Sequence, residues 1–355
     1  MDEDRLLMTP GPTAVPAAVR ERMADPAPNP DVEPEFVEFY RDLTDKLSAV
    51  YGDDDLAILG GEGILGLEAA VASLVGDGDR ALCISNGLYG DGFADFVEDA
   101  GGEAVTCRAP STGGIDVDAV AEHLDEGEFD VATMVHCETP TGTLNDLDPV
   151  LDLLDDHDVL SVVDAVSSLG GTPVPTGKID VCIGASQKCF SAPPGLAVLS
   201  ISDAAWDQIE ATEVSSYYAD LTPWKTADDE EWFPYTMPVN NLQALDAAVD
   251  LLREEGLDAV FERHDAAAEL CRERGRELGL ELYPDADVAS PTVTAFHVEG
   301  KAQELQQRLR EEEGVVLATG LGDLEDDVLR VGHMGHNARE DRVERTMDAI
   351  ERVLD

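Results

Sequence analysis

The central part of the chain alternates short apolar runs with segments in which apolar residues recur every three or four positions. The apolar runs are typical of buried strands, and they lie at 56–59, 81–85, 104–108, 131–136, 160–164, 181–184 and 196–201. Helical patterns lie between most of them, at 65–75, 90–100, 116–124 and 148–156. This alternation predicts an α/β domain with a mostly parallel sheet covered by helices.

The pattern changes after Gly195. A helix with one apolar face is predicted at 240–255, and a longer helix follows to about residue 278. Strands and a final amphipathic helix are then predicted near 280–283, 292–298, 315–317, 328–331 and 343–354. We therefore divide the chain into an N-terminal segment at 1–20, a large domain at 21–256 and a smaller α+β domain at 257–355.

The charge of the chain is extreme and is spread over its whole length. The 355 residues include 76 acidic and 23 basic side chains, a formal net charge of −53, which makes a compact state repel itself. Because salt shortens the Debye length to about 3 Å at 1 M, we expect a salt-rich cytoplasm, as in a halophile. The alternative, a basic partner, predicts one acidic patch. Binding to nucleic acid is not expected, since its phosphates would be repelled.

The cysteines and the start of the chain indicate where the protein works. The cysteines form no Cys-x-x-Cys pair and lie mostly in apolar runs, which is typical of reduced core residues. They are Cys83, Cys107, Cys137, Cys182, Cys189 and Cys271. The start is too acidic for a signal peptide, and no apolar run approaches the ~20 residues of a membrane span. We expect a soluble, cytoplasmic protein with no membrane partner.

Lys188 follows Gly-Ala-Ser-Gln and lies between the apolar runs 179–185 and 195–201. Loss of hydration in such a place lowers the pKa of an amine and leaves more free amine at neutral pH. A free amine in a desolvated pocket can form a Schiff base with an aldehyde. A lysine on an ordinary connecting loop is the alternative, which a short motif does not exclude.

Two further features stand at the ends of predicted strands. The glycine-rich loop at 60–66 opens a helix, whose N-terminal amides suit an anion such as a phosphate. Asp164 ends the strand at 160–164, where ligands bind in open α/β sheets. A buried carboxylate there needs a cationic partner, although a helix N-cap would also explain it. Since Asp164 and Lys188 follow consecutive strands, both should face one crevice.

Tyr89 and Thr139 also follow predicted strands. Tyr89 can stack on a ligand ring, which is worth about 0.5–1.5 kcal/mol beyond burial, or it can be a core residue at a helix start. Thr139 offers a hydroxyl, although its Thr-Pro-Thr-Gly segment is also an ordinary turn.

Together these segments resemble the class V aminotransferases, and more narrowly the serine–pyruvate and alanine–glyoxylate aminotransferases. The resemblance runs from Pro10 to Arg330, and it is strongest at Asp164, at Ser-Gln-Lys 186–188 and at Ala-Pro-Pro-Gly 192–195. It implies the fold type I architecture of pyridoxal-phosphate enzymes and a homodimer with active sites at the subunit boundary. The implied cofactor is pyridoxal 5′-phosphate, and no metal is implied.

The resemblance implies a role for each matching residue. Lys188 would hold the cofactor as a Schiff base and move the α-proton, and Asp164 would keep the ring nitrogen protonated. Arg330 would grip the substrate carboxylate, next to an N-terminal segment that enters the site at Gly11. The other implied cofactor contacts are the loop residues Gly61, Glu62, Gly63 and Ile64, a stacking Tyr89, a hydroxyl from Thr139, Ser186 and Gln187, and Thr236 reaching across the dimer to the partner's phosphate.

Two positions depart from the family pattern. Glu62 stands where relatives carry a hydroxyl residue, and a carboxylate aimed at a phosphate is repulsive. We expect its side chain to turn away, with an arginine as one candidate partner, and to leave the backbone amide for the phosphate. Phe233 stands where many relatives have a tyrosine, so one phosphate contact is expected to be missing.

The function implied is transfer of an amino group from a small amino acid to a 2-oxo acid such as glyoxylate or pyruvate. Alanine, serine, aspartate and an ureido amino acid remain open as donors. A lyase or desulfurase of the same fold is a second hypothesis, but desulfurases carry His where this chain has Gln187, and Cys189 is typical of a core residue. A binding protein that kept the fold without catalysis is a third.

Overall fold

The computed structural model describes residues 5–52 and 55–354. The acidic start of the chain at 1–4, two acids of the run at 53–55 and residue 355 lie outside the described residues. No described helix is both long enough and apolar enough to cross a bilayer. The six cysteine side chains are all buried, as expected for core thiols.

A seven-stranded sheet forms the centre of the large domain, in the order β2-β10-β9-β8-β5-β3-β4. All neighbours in it are parallel except β10, which runs antiparallel to both β9 and β2. The predicted mostly parallel α/β sheet is confirmed. Its strands are β2 (Asp55–Gly60), β3 (Arg80–Ser85), β4 (Glu103–Arg108), β5 (Val131–Val135), β8 (Leu160–Asp164), β9 (Val181–Ala185) and β10 (Leu196–Ile201).

Helices pack against this sheet, and the burial of β5 and β9 along their whole length is typical of a sheet covered on both faces. The four helices expected between the strands are present, and α1, α2 and α7 are additional. The amphipathic face of α2, with buried residues such as Phe36, Leu43 and Leu47, was a usable signal for it. The helices are α1 (Ala17–Arg22), α2 (Glu35–Tyr51), α3 (Gly63–Leu74), α4 (Leu88–Ala100), α5 (Val117–Glu126), α6 (Asp148–Asp156), α7 (Asp203–Ala211) and α8 (Val239–Glu255). A short hairpin, β6 (Cys137–Glu138) and β7 (Thr143–Leu144), follows β5.

The C-terminal part contains a four-stranded antiparallel sheet in the order β11-β12-β15-β14, packed against helices. Its elements are α9 (Leu257–Glu277), β11 (Glu281–Leu282), β12 (Thr294–His297), α10 (Ala302–Glu312), β13 (Val315–Val316), β14 (Ala318–Thr319), β15 (Val328–Val331) and α11 (Glu340–Leu354). Helix α10 was not predicted. The strand expected at 315–317 is divided, because β13 pairs with β1 (Leu6–Leu7) instead of joining the four-stranded sheet. The domain boundaries stay a prediction.

The N-terminal segment connects the two parts of the molecule. After β1, the backbone oxygen of Met8 accepts a hydrogen bond from the amide of Gly332 at 2.7 Å. The amide of Thr13 then donates to the backbone oxygen of Gln187 at 3.0 Å. These contacts hold the segment in place on both sides, so that residues 9–12 lie next to Lys188.

Candidate active site

A cavity of about 360 Å³ opens at the carboxyl ends of the parallel strands. Most of the predicted site residues line it: Gly11, Glu62, Gly63, Ile64, Tyr89, Thr139, Asp164, Gln187 and Lys188. The chain folds them together because β2, β3, β5, β8 and β9 all end at the same edge of the sheet.

Lys188 follows β9 and extends beneath the N-terminal segment. Its Nζ donates to the backbone oxygen of Pro10 at 2.8 Å. A side chain at Gly11 would collide with the lysine chain, so this close approach needs glycine. Burial lowers the pKa of Lys188, and Arg330 acts in the same direction while Asp164 opposes them. A lowered lysine pKa increases the fraction of free amine, the form that Schiff-base and proton-transfer chemistry require.

Asp164 ends β8, the strand next to β9. Its Oδ1 accepts from the amide of Val166 at 2.8 Å, within a turn, so it does not cap a helix. Burial raises the pKa of Asp164 to about 6, and the charge of Lys188 lowers it. No ion pair satisfies this carboxylate among the described residues. A buried acid in this state favours a cationic ligand atom nearby.

Tyr89 and Thr139 form two further walls of the cavity. Tyr89 lies in the first turn of α4 and is half-buried. The Thr139 hydroxyl is hydrogen-bonded to the Ser167 hydroxyl, and both residues line the cavity. Ser167 and Val166, which lie just after Asp164, were missed by the sequence analysis because nothing in a Val-Ser pair marks a site.

Arg330 on β15 lies beside the cavity and does not line it. Its Nε donates to the backbone oxygen of Thr319 at 2.6 Å, and its Nη1 donates to the backbone oxygen of Thr139 at 3.3 Å. The side chain is buried, and burial lowers the pKa of Arg330 to about 10. No carboxylate pairs with it among residues 5–52 and 55–354. A buried guanidinium without a counter-charge is suited to bind a carboxylate brought by a ligand.

The other end of the cavity is the N-terminus of α3. Gly63 packs closely here, since an added Cβ would lie 2.9 Å from Val166 Cγ2. The candidate arginine partner of Glu62 is wrong, since the bonds of its carboxylate in the described residues go elsewhere. Its Oε1 accepts from the amide of Ile64 at 3.3 Å, and its Oε2 accepts from Gln187 Nε2 at 3.3 Å. The carboxylate therefore already holds one of the helix amides that were assigned to a phosphate.

The remaining predicted contacts are not brought into the cavity. Ser186 is fully buried, and its hydroxyl donates to Pro193 O at 2.6 Å within its own loop. Gly61 provides only the tight turn before α3, because a side chain there would collide with Leu65. Thr236 is exposed, away from the cavity of its own chain, and donates to Asp31 Oδ2 at 3.1 Å.

Phe233 packs in the core against the rings of Phe36 and Tyr40, which explains the hydrophobic residue there.

Glu138 is a functional candidate that the sequence analysis passed over. It follows β5 in the His-Cys-Glu-Thr segment, and its side chain is fully buried. Burial and, to a smaller extent, the negative charge of Asp164 raise the pKa of Glu138 to about 7. An acid three residues after the end of a buried strand, in a segment that also carries Thr139, was a signal that could have found it.

The comparisons with known proteins agree with this geometry. The family model for class V aminotransferases matches residues 68–337. The chain belongs to the class V aminotransferase family. It is therefore a transaminase, which moves an amino group to a 2-oxo acid, and the family uses pyridoxal phosphate. The implied fold type I architecture is confirmed by the solved relatives.

Similar proteins cover almost the whole chain. An uncharacterised aminotransferase of Methanocaldococcus jannaschii is 34% identical over 93% of this chain and 88% of its own length. A pyridoxamine–pyruvate transaminase of Mesorhizobium japonicum is 34% identical over 87% of this chain and 81% of its own. The crystal structure of an alanine–glyoxylate aminotransferase from Nostoc has a TM-score of 0.95 at 27% identity, covering 100% of this chain and 96% of that one.

Proposed function

We propose that this aminotransferase binds the pyridine ring of pyridoxal 5′-phosphate between Asp164, Tyr89 and Thr139, and moves an amino group from a small amino acid to pyruvate or glyoxylate. One observation carries the proposal: the carboxyl of Asp164, at the end of β8, and the amine of Lys188, just after the adjacent parallel strand β9, line the same cavity. The pKa of this amine is lowered. When bound, the cofactor supplies a ring that withdraws electrons from the substrate α-carbon.

The ring end of the cavity fits this group. The buried Asp164 carboxylate lacks an ion-pair partner in the described chain, and a protonated ring nitrogen would satisfy it. Lys188 would take the α-proton of the substrate and deliver it to the cofactor carbon on the other side of the shared nitrogen, with Pro10 O holding its Nζ between the two transfers. Arg330 would hold the substrate carboxylate, which fixes the orientation of the α-carbon.

The N-terminus of α3 fits the phosphate group of the cofactor if the Glu62 carboxylate moves. The amides of Gly63 and Ile64 start α3 and suit an anion, but Glu62 Oε1 accepts from the Ile64 amide. A phosphate can take that amide only if the carboxylate moves off it, because two anions repel at this distance.

A second candidate function follows from the same carboxylate. Pyridoxamine carries a hydroxymethyl group in place of the phosphate ester, and a hydroxyl can donate to Glu62 without repulsion. One similar protein is named a pyridoxamine–pyruvate transaminase. In this alternative, unphosphorylated pyridoxamine is itself the amino donor and pyruvate is the acceptor.

Two measurements separate these functions. The protein freed of bound ligands is titrated with pyridoxal and with pyridoxal phosphate, and the visible absorbance of each complex gives a dissociation constant. Alanine, serine, aspartate and pyridoxamine are then tested as donors against pyruvate and glyoxylate. Turnover of amino acids with pyridoxal phosphate bound supports the first function, turnover of pyridoxamine alone supports the second, and no turnover with any pair contradicts both.

We also propose a homodimer. Tyr217, Tyr218 and Trp232 are exposed by 64%, 55% and 52%, and they precede the exposed Thr236 in the same region of the chain. Such a group of exposed aromatic rings is typical of an interface, and a dimer would place Thr236 where it can serve a neighbouring site. Light scattering coupled to size exclusion should give about twice 38.0 kDa, and a monomer at micromolar concentration would contradict this.

The net charge of −53 supports a salt-rich cytoplasm as the working environment. Acidic side chains far outnumber basic ones, so most of them cannot pair. We expect the midpoint of thermal unfolding to rise between 0.1 and 2 M KCl as the repulsion is screened. An unchanged midpoint over that range would refute the salt proposal.

A further inference from the structure

The side chain of Glu138 is fully buried and caps helix α4 from outside the helix. Its Oε1 accepts from the amide of Gly90 at 2.7 Å, and its Oε2 accepts from the amide of Tyr89 at 3.4 Å. The N-cap residue of α4 is Gly87, which has no side chain to make these bonds. The carboxylate of Glu138 therefore supplies the acceptors that the first helical amides need.

Gly87 allows the carboxylate to reach the helix. A Cβ added at this glycine would lie 2.6 Å from Glu138 Cδ and 2.8 Å from its Oε2. Contacts this short cannot be relieved without moving the acid or the start of the helix. The first turn of α4 therefore packs directly against Glu138, with no room for a side chain at Gly87.

The backbone of Glu138 holds a second wall of the cavity. Its backbone oxygen accepts from the amides of Thr141 and Gly142, at 3.3 and 2.9 Å. The turn closed by these bonds contains Thr139, whose own backbone oxygen accepts from Arg330 Nη1. One residue therefore joins the helix that carries Tyr89 to the turn that carries Thr139.

The burial of Glu138 lowers the stability of the folded protein. No cationic side chain pairs with Glu138 in the described parts of the chain, and Asp164 contributes a second negative charge nearby. Burial without a counter-ion destabilises the charged form of Glu138, which is why its pKa is raised, so packing alone would be better served by a neutral residue. The benefit of a carboxylate at this place is its two acceptor oxygens, which hold the amides of Tyr89 and Gly90.

We propose that Glu138 is a positioning residue of the aminotransferase: through the amides of Tyr89 and Gly90 it fixes the Tyr89 ring against the ligand ring in the cavity. This inference rests on the proposed function, because it needs a ring ligand there. Glu138 acts through Tyr89 and does not itself line the cavity.

The first test measures, without any ligand, how strongly Glu138 protects the first amides of α4 from hydrogen exchange. Site-resolved hydrogen exchange is followed at Tyr89 and Gly90 in wild type, Glu138→Gln and Glu138→Ala. Gln keeps one carbonyl for Gly90 and presents an NH₂ group to Tyr89, so we expect at least tenfold faster exchange at Tyr89 and little change at Gly90. Both amides should exchange faster in Glu138→Ala. Unchanged exchange at Tyr89 in Glu138→Gln overturns the proposal, even if the Ala variant does not fold.

The second test measures binding of pyridoxal phosphate, or of pyridoxal if wild type prefers it. We expect a dissociation constant about tenfold higher for Glu138→Ala, and rescue to within about threefold by Glu138→Gln. Asp180→Asn is the matched control. Asp180 is a half-buried acid outside the cavity, whose carboxylate accepts from the amide of Ser161 at 2.8 Å. This control should lower thermal stability and leave the dissociation constant unchanged.

A double-mutant cycle shows whether Glu138 acts through Tyr89. In a Tyr89→Leu background, Glu138→Gln and Glu138→Ala should change the dissociation constant less than twofold. Full additivity would refute the proposal, as would an equal loss of affinity in Asp180→Asn. If wild type binds neither ligand, the proposed function fails, while the exchange data still report on the hold of Glu138 on α4. The two failures are therefore distinguishable.

Discussion

At one end of the cavity, Asp164 ends strand β8 and Lys188 follows the adjacent parallel strand β9, whereas at the other end Glu62 lies exposed at the start of α3. The ring end is buried, and its backbone is held by the sheet on both sides. The phosphate end is one helix start, whose amides are shared with a side chain that solvent can reach. The proposed proton transfer thus rests on residues at the ends of buried strands, and the proposed choice of ligand tail rests on an exposed helix start.

Substitutions at the buried end should therefore lower turnover strongly. Substitutions at the exposed end should change which ligand is bound and leave turnover largely unchanged. Variants at the two ends should therefore differ in the size and kind of their effects.

Loss of Lys188 should have the largest effect. Lys188→Ala removes the amine that moves the α-proton, a step worth about 10²–10⁴-fold in rate, so turnover should fall about 10³-fold or more. The absorbance of the lysine-bound ligand should disappear as well. Lys178→Ala is the control, because Lys178 is a surface lysine paired with Asp148 and Asp152. Wild-type turnover in Lys188→Ala would remove Lys188 from the mechanism.

Asp164→Asn should keep the cavity and lose most of the activity. An amide cannot keep a ring nitrogen protonated, so the ring would withdraw fewer electrons. We expect turnover to fall about 10²-fold, within the range typical of lost acid–base assistance, with a smaller change in ligand affinity. Single-turnover absorbance measurements separate the two quantities. Near-normal turnover would contradict the role of Asp164 and the contrast built on it.

The same substitution should stabilise the ligand-free protein above pH 6. Burial raises the pKa of Asp164 to about 6 in the folded state. The stability associated with its protonated form is therefore complete below about pH 4 and lost as the pH rises through 6. Because one pKa unit corresponds to about 1.4 kcal/mol, Asp164→Asn should gain about 3 kcal/mol on wild type as the pH rises through that window. Urea unfolding at pH 4 and pH 7.5 measures the difference, and equal stability at both values would count against a buried, destabilised acid.

Arg330→Lys should raise KM for the amino acid more than it lowers kcat. Lysine keeps a charge but cannot bind a carboxylate bidentately, and hydrogen bonds to charged groups are worth about 1.5–3 kcal/mol. We expect KM to increase about thirtyfold. Arg339→Lys, at an exposed position, is the matched control. An unchanged KM for every donor would show that the substrate carboxylate binds elsewhere.

Glu62→Ser should have the smallest effect and the most specific one. Removing the carboxylate frees the Ile64 amide for an anion, so the affinity for pyridoxal phosphate should stay the same or improve by up to about tenfold, or 1.4 kcal/mol. The affinity for unphosphorylated pyridoxal should stay the same or fall. Glu68→Ser, at an exposed position on the same helix, controls for net charge. A tenfold loss of phosphate affinity would instead make Glu62 part of the phosphate site.

The order and type of the elements around the site could be read from the sequence. Strands at 56–59, 160–164 and 196–201 were found within a residue or two, because a strand buried on both faces is a continuous apolar run. The same local pattern placed Asp164 and Lys188 at consecutive strand ends, which was sufficient to expect one crevice. Local signals of this kind do not depend on the rest of the chain.

Only the tertiary structure decided the contacts that cross the molecule. The pairing of Leu6 with Val315, the bond from Lys188 to Pro10 and the direction of the Glu62 side chain join residues far apart in the chain. A short apolar pair or a lone acid carries no information about its distant partner. The role of Glu138 at α4 is of the same kind: its bonds to Tyr89 and Gly90 span about fifty positions and exist only because β3 and β5 are neighbours in the sheet.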